Sequence, residues 1–313
     1  MRVFRGLGDL PQAPADLGRT VVSIGIFDGV HRGHQHIVQR AVARAAELRL
    51  PAVGVTFDPL PEFVLRPDLA PALLTTLERR VELLGELGLD GVYVIDFTEE
   101  FSQESPEEFV QSVLVERLRA VDVVVGANFR FGRRAAGDVG TLRGLGLAAG
   151  FMVDAIELAG PAADRAFSSS WIRERVAAGD VEGAAEALGR PHRVEGVVVH
   201  GDHRGRELGY PTANLDVPAD LAVPADGVYA GWLDGMAAAV SVGTNPTFGG
   251  IGRRVEAYAI DRVGLELYGR LMALDLVARL RPMVTFTDVE ALTTQMAIDV
   301  EHSRRRLRVA TDS

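Results

Sequence analysis

From Thr20 to Phe27 the chain is almost wholly β-branched and apolar, which predicts a buried strand. From Ile37 apolar residues return at helical spacing through Val38, Ala41 and Val42. The Asp28-Gly29 turn between them completes a strand, turn and helix. The alternation then repeats. Residues 51–57 read as a second strand running into Asp58-Pro59-Leu60-Pro61, where two prolines predict a break in regular structure. Thr75-Thr76-Leu77-Glu78 has capping-box spacing and predicts a helix to about Leu87, followed by a strand over 89–96. Ser105-Pro106-Glu107-Glu108 is a second capping box with proline at the first helical position, opening a helix to about Arg119. Strand-like segments follow over 121–125 and 151–158. Strands and helices taken in turn predict an α/β, doubly wound parallel sheet.

The pattern changes near residue 189. A helical stretch from Asp180 to Leu188 stops at Gly189-Arg190-Pro191, and short strands separated by glycine turns succeed it over 196–201, 213–217, 227–234, 237–243, 255–260 and 272–280. That spacing predicts a small antiparallel β-barrel. A third capping box, Thr287-Asp288-Val289-Glu290, predicts a C-terminal helix to about Arg308, whose Arg304-Arg305-Arg306 run reads as a solvated end. The domains expected are therefore 1–188 and 189–313.

Composition narrows the classes. With 313 residues, 47% hydrophobic and 24% charged, the chain is long enough for two cores and has an ordinary globular mix. A net charge of −10 argues against a nucleic-acid partner, since no net basic surface exists to displace counterions. Cysteine is absent, which excludes disulfides and thiolate chemistry and fits a reducing cytosol. The N-terminus lacks the apolar core of a signal peptide and no apolar run is long enough to span a bilayer, so a cytoplasmic protein with no membrane partner is expected. No oligomeric state follows from the sequence.

The candidate chemistry lies where strands meet helices. His31-Arg32-Gly33-His34 places two imidazoles at a helix N-terminus, beside unsatisfied N–H groups and the positive end of the helix dipole. Gly29 makes the turn, and Gly33 removes a side chain where phosphate oxygens come close. This reads as a nucleoside triphosphate site, against the alternatives of a solvated loop or a zinc site short of a third ligand. Asn128 stands in a loop at the C-terminal end of the strand over 121–125, either in the ligand crevice or as a structural loop residue. Ser168, Ser169 and Ser170 precede Arg173; one serine serves as an N-cap, and together the group makes a second anion cradle. In the second half Gly201, Gly205 and Gly209 form a loop whose backbone amides can wrap phosphates. It leads to Thr212 and Asn214, two neutral oxygen donors on one side of an extended segment that can hold Mg²⁺ between ATP phosphates. Glu256, in a predicted strand, faces either solvent or a ligand mouth.

FDGVHRGH (27–34) resembles the nucleotidyltransferase superfamily signature. With VTFDPLP, the Gly-x-x-Phe-x-Phe-Gly segment ending at Gly132, the serine run with Arg173, and GDHRGRELGYPTANL (201–215), it resembles the bacterial bifunctional riboflavin kinase/FMN adenylyltransferase (FAD synthetase) family over nearly the whole chain. The resemblance implies a nucleotidyltransferase domain followed by a barrel kinase domain, with ATP, riboflavin and FMN as small-molecule partners, FAD as product and Mg²⁺ as cofactor. It places Asp58 near the flavin end of the adenylyltransferase site and makes Asn128 a nucleotide and flavin ligand. It also makes Glu256 the general base for the riboflavin 5′-hydroxyl, with His31, His34 and Arg173 stabilising charge during adenylyl transfer. Ser170 stands where the family motif has threonine, and Ile26, Trp171 and Tyr258 stand where asparagine, arginine and histidine are frequent. Asn245 reads as structural. Two other readings stay open: an adenylyltransferase with a non-catalytic flavin-binding barrel, and a flavin-responsive regulatory protein.

Overall fold

The computed structural model describes residues 1–6, 17–157, 167–201, 208–247 and 250–308. The chain forms two compact units, Met1–Pro71 with Thr76–Ser168, and Ala72–Thr75 with Ser169–Ser313. The first holds a six-stranded sheet of β1 (Arg2–Arg5), β2 (Thr20–Ile24), β3 (Ala52–Asp58), β4 (Gly91–Asp96), β5 (Ala120–Gly126) and β6 (Met152–Ile156). Their order is β1-β4-β3-β2-β5-β6 and every neighbouring pair is parallel. The continuous apolar runs follow from burial on both faces. Val22, Ile24, Val53, Val55, Ile95 and Val123 face one core with Phe109, Leu114 and Leu142, while Val21, Val92, Val94 and Val124 face a second. Helix α1 (Arg32–Leu48) covers that second face through Ile37, Val38, Ala41 and Ala45, and α3 (Leu77–Glu86) through Leu77, Val81 and Leu84. The chain steps from β2 outward to β3 and β4, then returns to the other side of β2 as β5. The strand order therefore reverses beside β2, which opens a crevice at the carboxyl ends of β2 and β5.

Several local expectations shift. Pro61 does not extend an irregular loop but starts the short helix α2 (Pro61–Leu65), where its missing N–H costs nothing. The cap of α3 is Thr76, whose hydroxyl accepts from the Arg79 N–H, one residue beyond the box read from Thr75. Ser105 and Glu108 do form the reciprocal capping box of α4 (Pro106–Phe109), and the chain continues in a wider helix over Val110–Arg117. Helix α5 is Val139–Ala149.

In the second unit α6 (Ser169–Ala178) and α7 (Val181–Leu188) precede a closed barrel of β7 (His192–Val199), β8 (Thr212–Asp216), β9 (Gly227–Leu233), β10 (Met236–Thr247), β11 (Gly250–Ala259) and β12 (Leu271–Arg281). The barrel order is β10-β11-β8-β7-β12-β9, antiparallel throughout, with register shifts between β12 and β9 that help the sheet curve shut. Val181 of α7 joins the barrel core with Tyr229, Leu274 and Leu276. Asn245 lies in β10, its backbone opposite Gly252. The closing helix α8 (Val289–Leu307) is capped by Asp288 rather than Thr287, the carboxylate accepting from the Ala291 N–H at 2.8 Å. At its basic end Arg305 and Arg306 are exposed, as expected of a solvated end, whereas Arg304 is largely covered and pairs with Asp261.

Two candidate active sites

The first site starts from backbone geometry at the end of β2. Gly29 takes φ +79°, and Phe27 and Val30 also adopt positive φ, at 54° and 38°. For a β-branched valine this is a strained conformation of the kind that collects at functional sites. The turn is closed by the Val30 N–H donating to Phe27 O, and the Gln35 amide donates to Val30 O at 2.9 Å. His31 then caps α1, its Nδ1 accepting the His34 N–H at 3.3 Å, which leaves the His31 proton on Nε2. The two rings stack with centroids 3.6 Å apart, and Phe27 meets His34 edge-on at 5.3 Å. His31 is buried, and among the described residues the covered Nδ1 of His34 has no hydrogen-bond partner. Burial, followed by electrostatic coupling to His31 and the charge of Arg80, holds His34 well below the usual histidine range. Gly33 is buried in the first turn of α1.

The neighbouring strand ends complete this crevice. Asn128 is exposed in the turn after β5, next to β2, where the Phe129 N–H closes on Gly126 O. Asp58 ends β3 on the other side of β2, half-buried, and desolvation pushes its carboxyl up against the pull of Arg80. Ser168 closes the first unit, whereas Ser169, Ser170 and Arg173 lie on α6 in the second. Arg173 Nε donates to Ala72 O at 2.6 Å within that unit. Arg80 escaped the sequence reading. It sits on the apolar face of α3 between Leu77 and Leu84, is only 1% exposed, and donates to Phe57 O at 3.0 Å. A cation at an apolar helical position was the available signal.

The second site is built across two barrel strands. Pairing of β8 with β11 sets Asn214 opposite Glu256 and Thr212 opposite Tyr258. Thr212 and Asn214 lie two apart and share a face, as strand geometry requires. The Thr212 hydroxyl donates to Glu256 Oε2 at 3.4 Å, and Arg254 lies 3.4 Å from Oε1. Asn214 Oδ1 is buried and has no hydrogen-bond partner among the described residues. Gly201 lies against this amide, so that a Cβ there would overlap it. An orphaned amide oxygen beside a hydroxyl and a carboxylate suits a hard, oxygen-preferring cation that keeps part of its shell from phosphates and water. Among the described residues no group of three His, Cys, Asp or Glu side chains could hold a metal ion. Gly209 adopts φ +82° at the entry to this segment, whereas Gly205 lies outside the described residues.

Thr212 and Glu256 open into a cavity of about 230 Å³ whose other walls include Tyr210, Tyr258, Phe286 and, from α8, Leu292, Met296 and Val300. The α8 wall was not read from the sequence, although Leu292, Met296 and Val300 recur at four-residue spacing. A polar end and an apolar, aromatic body suit a planar heteroaromatic ligand carrying a hydroxylated tail. A larger open hollow, about 680 Å³, is lined by Glu100, Glu104, Glu107, Glu108 and Glu116. Its carboxylates would repel phosphates, so its size does not make it a nucleotide site.

The fold and these sites define a two-unit transferase, with a doubly wound sheet presenting a histidine pair at its switch point and a barrel presenting a carboxylate at a cavity mouth. Residues 13–170 match the family model for FAD synthetase and residues 188–307 that for riboflavin kinase. A bifunctional riboflavin kinase/FMN adenylyltransferase of Escherichia coli K12 is 34% identical, covering 96% of both chains; that of Pseudomonas fluorescens is 37% identical, covering 97% of both. A crystal structure described as a macrolide-efflux protein from Streptococcus pneumoniae has 30% identity and a TM-score of 0.85, covering 97% of this chain and 99% of that one. Among the described residues no helix is long and apolar enough to cross a membrane. The chain belongs to the bifunctional riboflavin kinase/FMN adenylyltransferase family.

Proposed function

We propose that the chain makes FAD in two steps, phosphorylating riboflavin to FMN at the barrel and adenylylating FMN to FAD at the parallel sheet. The functional division follows residues 1–188 and 189–313, with its change near the start of the second family match. The observation that carries the kinase step is the register that sets Glu256 opposite Asn214 beside the cavity. Glu256 accepts the proton of the riboflavin 5′-hydroxyl as that oxygen bonds to the γ-phosphorus of ATP, and the bond to the ADP oxygen breaks. Thr212 and Asn214 are the residues that would hold Mg²⁺, which when bound neutralises phosphate charge. Gly201, Gly205 and Gly209 supply backbone room for the phosphates. Tyr210, Tyr258 and the α8 side chains orient the flavin and exclude water.

For the second step, an FMN phosphate oxygen bonds to the α-phosphorus of ATP and pyrophosphate leaves. His31 and His34 donate to the oxygens on which charge accumulates, at the N-terminus of α1. Gly29 and Gly33 let the backbone approach; Asp58 and Asn128 border the crevice and contact the flavin and nucleotide. Ser168, Ser169, Ser170 and Arg173 act as phosphate ligands, a role that rests on their motif. The substrates are small molecules, and a cytoplasmic location without nucleic-acid or membrane partners fits them.

The test is the wild-type chain with riboflavin, ATP and Mg²⁺, with FMN and FAD separated over time. FMN followed by FAD supports the proposal. FAD from supplied FMN but no FMN from riboflavin leaves an adenylyltransferase with a silent barrel, and turnover of neither leaves a binding protein.

A further inference from the structure

Arg80 is charged, buried and unaccounted for by the chemistry above. Its guanidinium donates through one nitrogen to Phe57 O at 3.0 Å and to the Thr56 hydroxyl at 3.4 Å, and that hydroxyl in turn donates to Ile26 O at 2.9 Å. One side chain of α3 thereby joins the carboxyl end of β3 to the segment leaving β2, where the turn Phe27-Asp28-Gly29-Val30 begins. Asp28 in that turn is also fully buried, and it is the foremost carboxylate acting on Arg80, followed by Asp58 and Glu78. If packing alone were required, a leucine or methionine would fill this place without a desolvated charge.

We propose that Arg80 is a positioning residue of the adenylyltransferase site, a fixed buried cation that ties the ends of β2 and β3 together and balances Asp28 so that the turn holds His31 and His34 for the reaction. The inference rests on the reading of the histidine pair as that site. Two further observations agree with it. The strained Phe27 and Val30 conformations need surroundings that over-determine them, and the Arg80 ties supply part of this. Burial, then electrostatic coupling to His31 and the positive charge of Arg80, disfavours protonation of His34. The charged groups around the pair are then His31 on its own turn, Arg80 from α3, and Asp28, Asp58 and Glu78 around Arg80.

Two substitutions separate charge from hydrogen bonding. Arg80→Gln keeps an amide donor for Phe57 O but removes the charge; Arg80→Lys keeps the charge with a single donor group. For FMN adenylylation, R80Q is expected to lower kcat by about tenfold or more with KM for ATP changed by less than about threefold. With the cation gone, His34 binds a proton more readily, so the acid limb of the R80Q kcat profile moves to higher pH. R80K is expected to restore the rate to within about threefold of wild type and to leave that limb in place. A wild-type rate in R80Q overturns the proposal. So does equal impairment of both variants with unmoved acid limbs, which is the signature of packing alone. Should R80Q fail to fold by circular dichroism, R80K decides: near-wild-type turnover supports the charge requirement, and impaired turnover in folded R80K overturns it. His31→Ala runs alongside, because undiminished FAD formation in H31A would fell the reading of the site itself rather than the part played by Arg80.

Discussion

Gly201→Ala tests the barrel site with the smallest possible change. An ideal Cβ at Gly201 would stand 2.5 Å from Asn214 Cγ and 2.6 Å from its Oδ1, and closer still to Nδ2. Carbon contacts are favourable only from about 3.5 Å, so the Asn214 amide must retreat by roughly 1 Å. The obstacle is the end of a side chain rather than backbone, and Gly201 does not have a positive φ, so the fold can absorb the methyl group by letting Asn214 turn away. Function bears the cost. On the proposal that Asn214 holds Mg²⁺, its displacement costs about 1.5–3 kcal/mol, a fall of about 10- to 150-fold in kinase kcat/KM for MgATP. Stability should hold, with Tm within about 3 °C of wild type, since glycine-to-alanine at a compatible backbone changes stability by under about 1 kcal/mol. The assay is FMN formation at saturating riboflavin with MgATP varied, for G201A, N214A and the double variant. If the methyl group acts through Asn214, G201A adds little once Asn214 is gone, and the cycle returns a coupling about as large as the single effect. Equal losses from G201A in both backgrounds, or none in either, would refute the argument.

Glu256→Gln should lower kinase kcat by about 10²- to 10⁴-fold while FAD formation from supplied FMN stays near wild type; a retained kinase rate in steady-state assays removes Glu256 as the base. His31→Ala should lower FMN adenylylation by about 10²-fold and spare riboflavin phosphorylation, and equal loss of both activities would contradict two separate sites. Asp288 caps α8 and, held by the Ala291 N–H and then the Thr287 hydroxyl, has its carboxyl depressed below the ordinary aspartate value. A depressed folded-state pKa gives stability that is complete above the unfolded value and lost as pH falls through the folded one. Asp288→Asn should therefore flatten the acid side of the Tm profile below about pH 4, and superimposable profiles would exclude the effect.

What was legible in the sequence divides by how local its cause is. The parallel sheet was readable because each of its central strands is apolar on both faces, and the Ser105 box because both of its hydrogen bonds lie within four residues. The other two caps slipped by one residue, since Thr75-Thr76 and Thr287-Asp288 each offer adjacent candidates. Strand β1 has four residues and owes its existence to pairing with distant β4, which no local pattern announces. Arg304 looked solvated because its partner Asp261 is 43 positions away.

The same division separates the two candidate sites. His31 and His34 are neighbours on one helical turn, so their spacing alone forecasts the stacked pair. Glu256 and Asn214 meet only because β8 and β11 pair in one register; a slip of one residue would turn Glu256 to the opposite face, and sequence spacing carries no record of that choice. Motif resemblance supplied what periodicity lacked there. Neither route reached Arg80. With a formal net charge of −10 the chain as a whole repels a nucleoside triphosphate, so attraction has to come from short-range groups at the site. A helix N-terminus bearing an imidazole held below the usual histidine range supplies partial charges, whereas the Arg80 guanidinium, buried on the apolar face of α3 and countered by Asp28, Asp58 and Glu78, has its charge spent within the fold. Such a cation must be placed where carboxylates and carbonyls compensate it. That is why it occupies an apolar face of α3, where a reader of hydrophobic pattern discounts it.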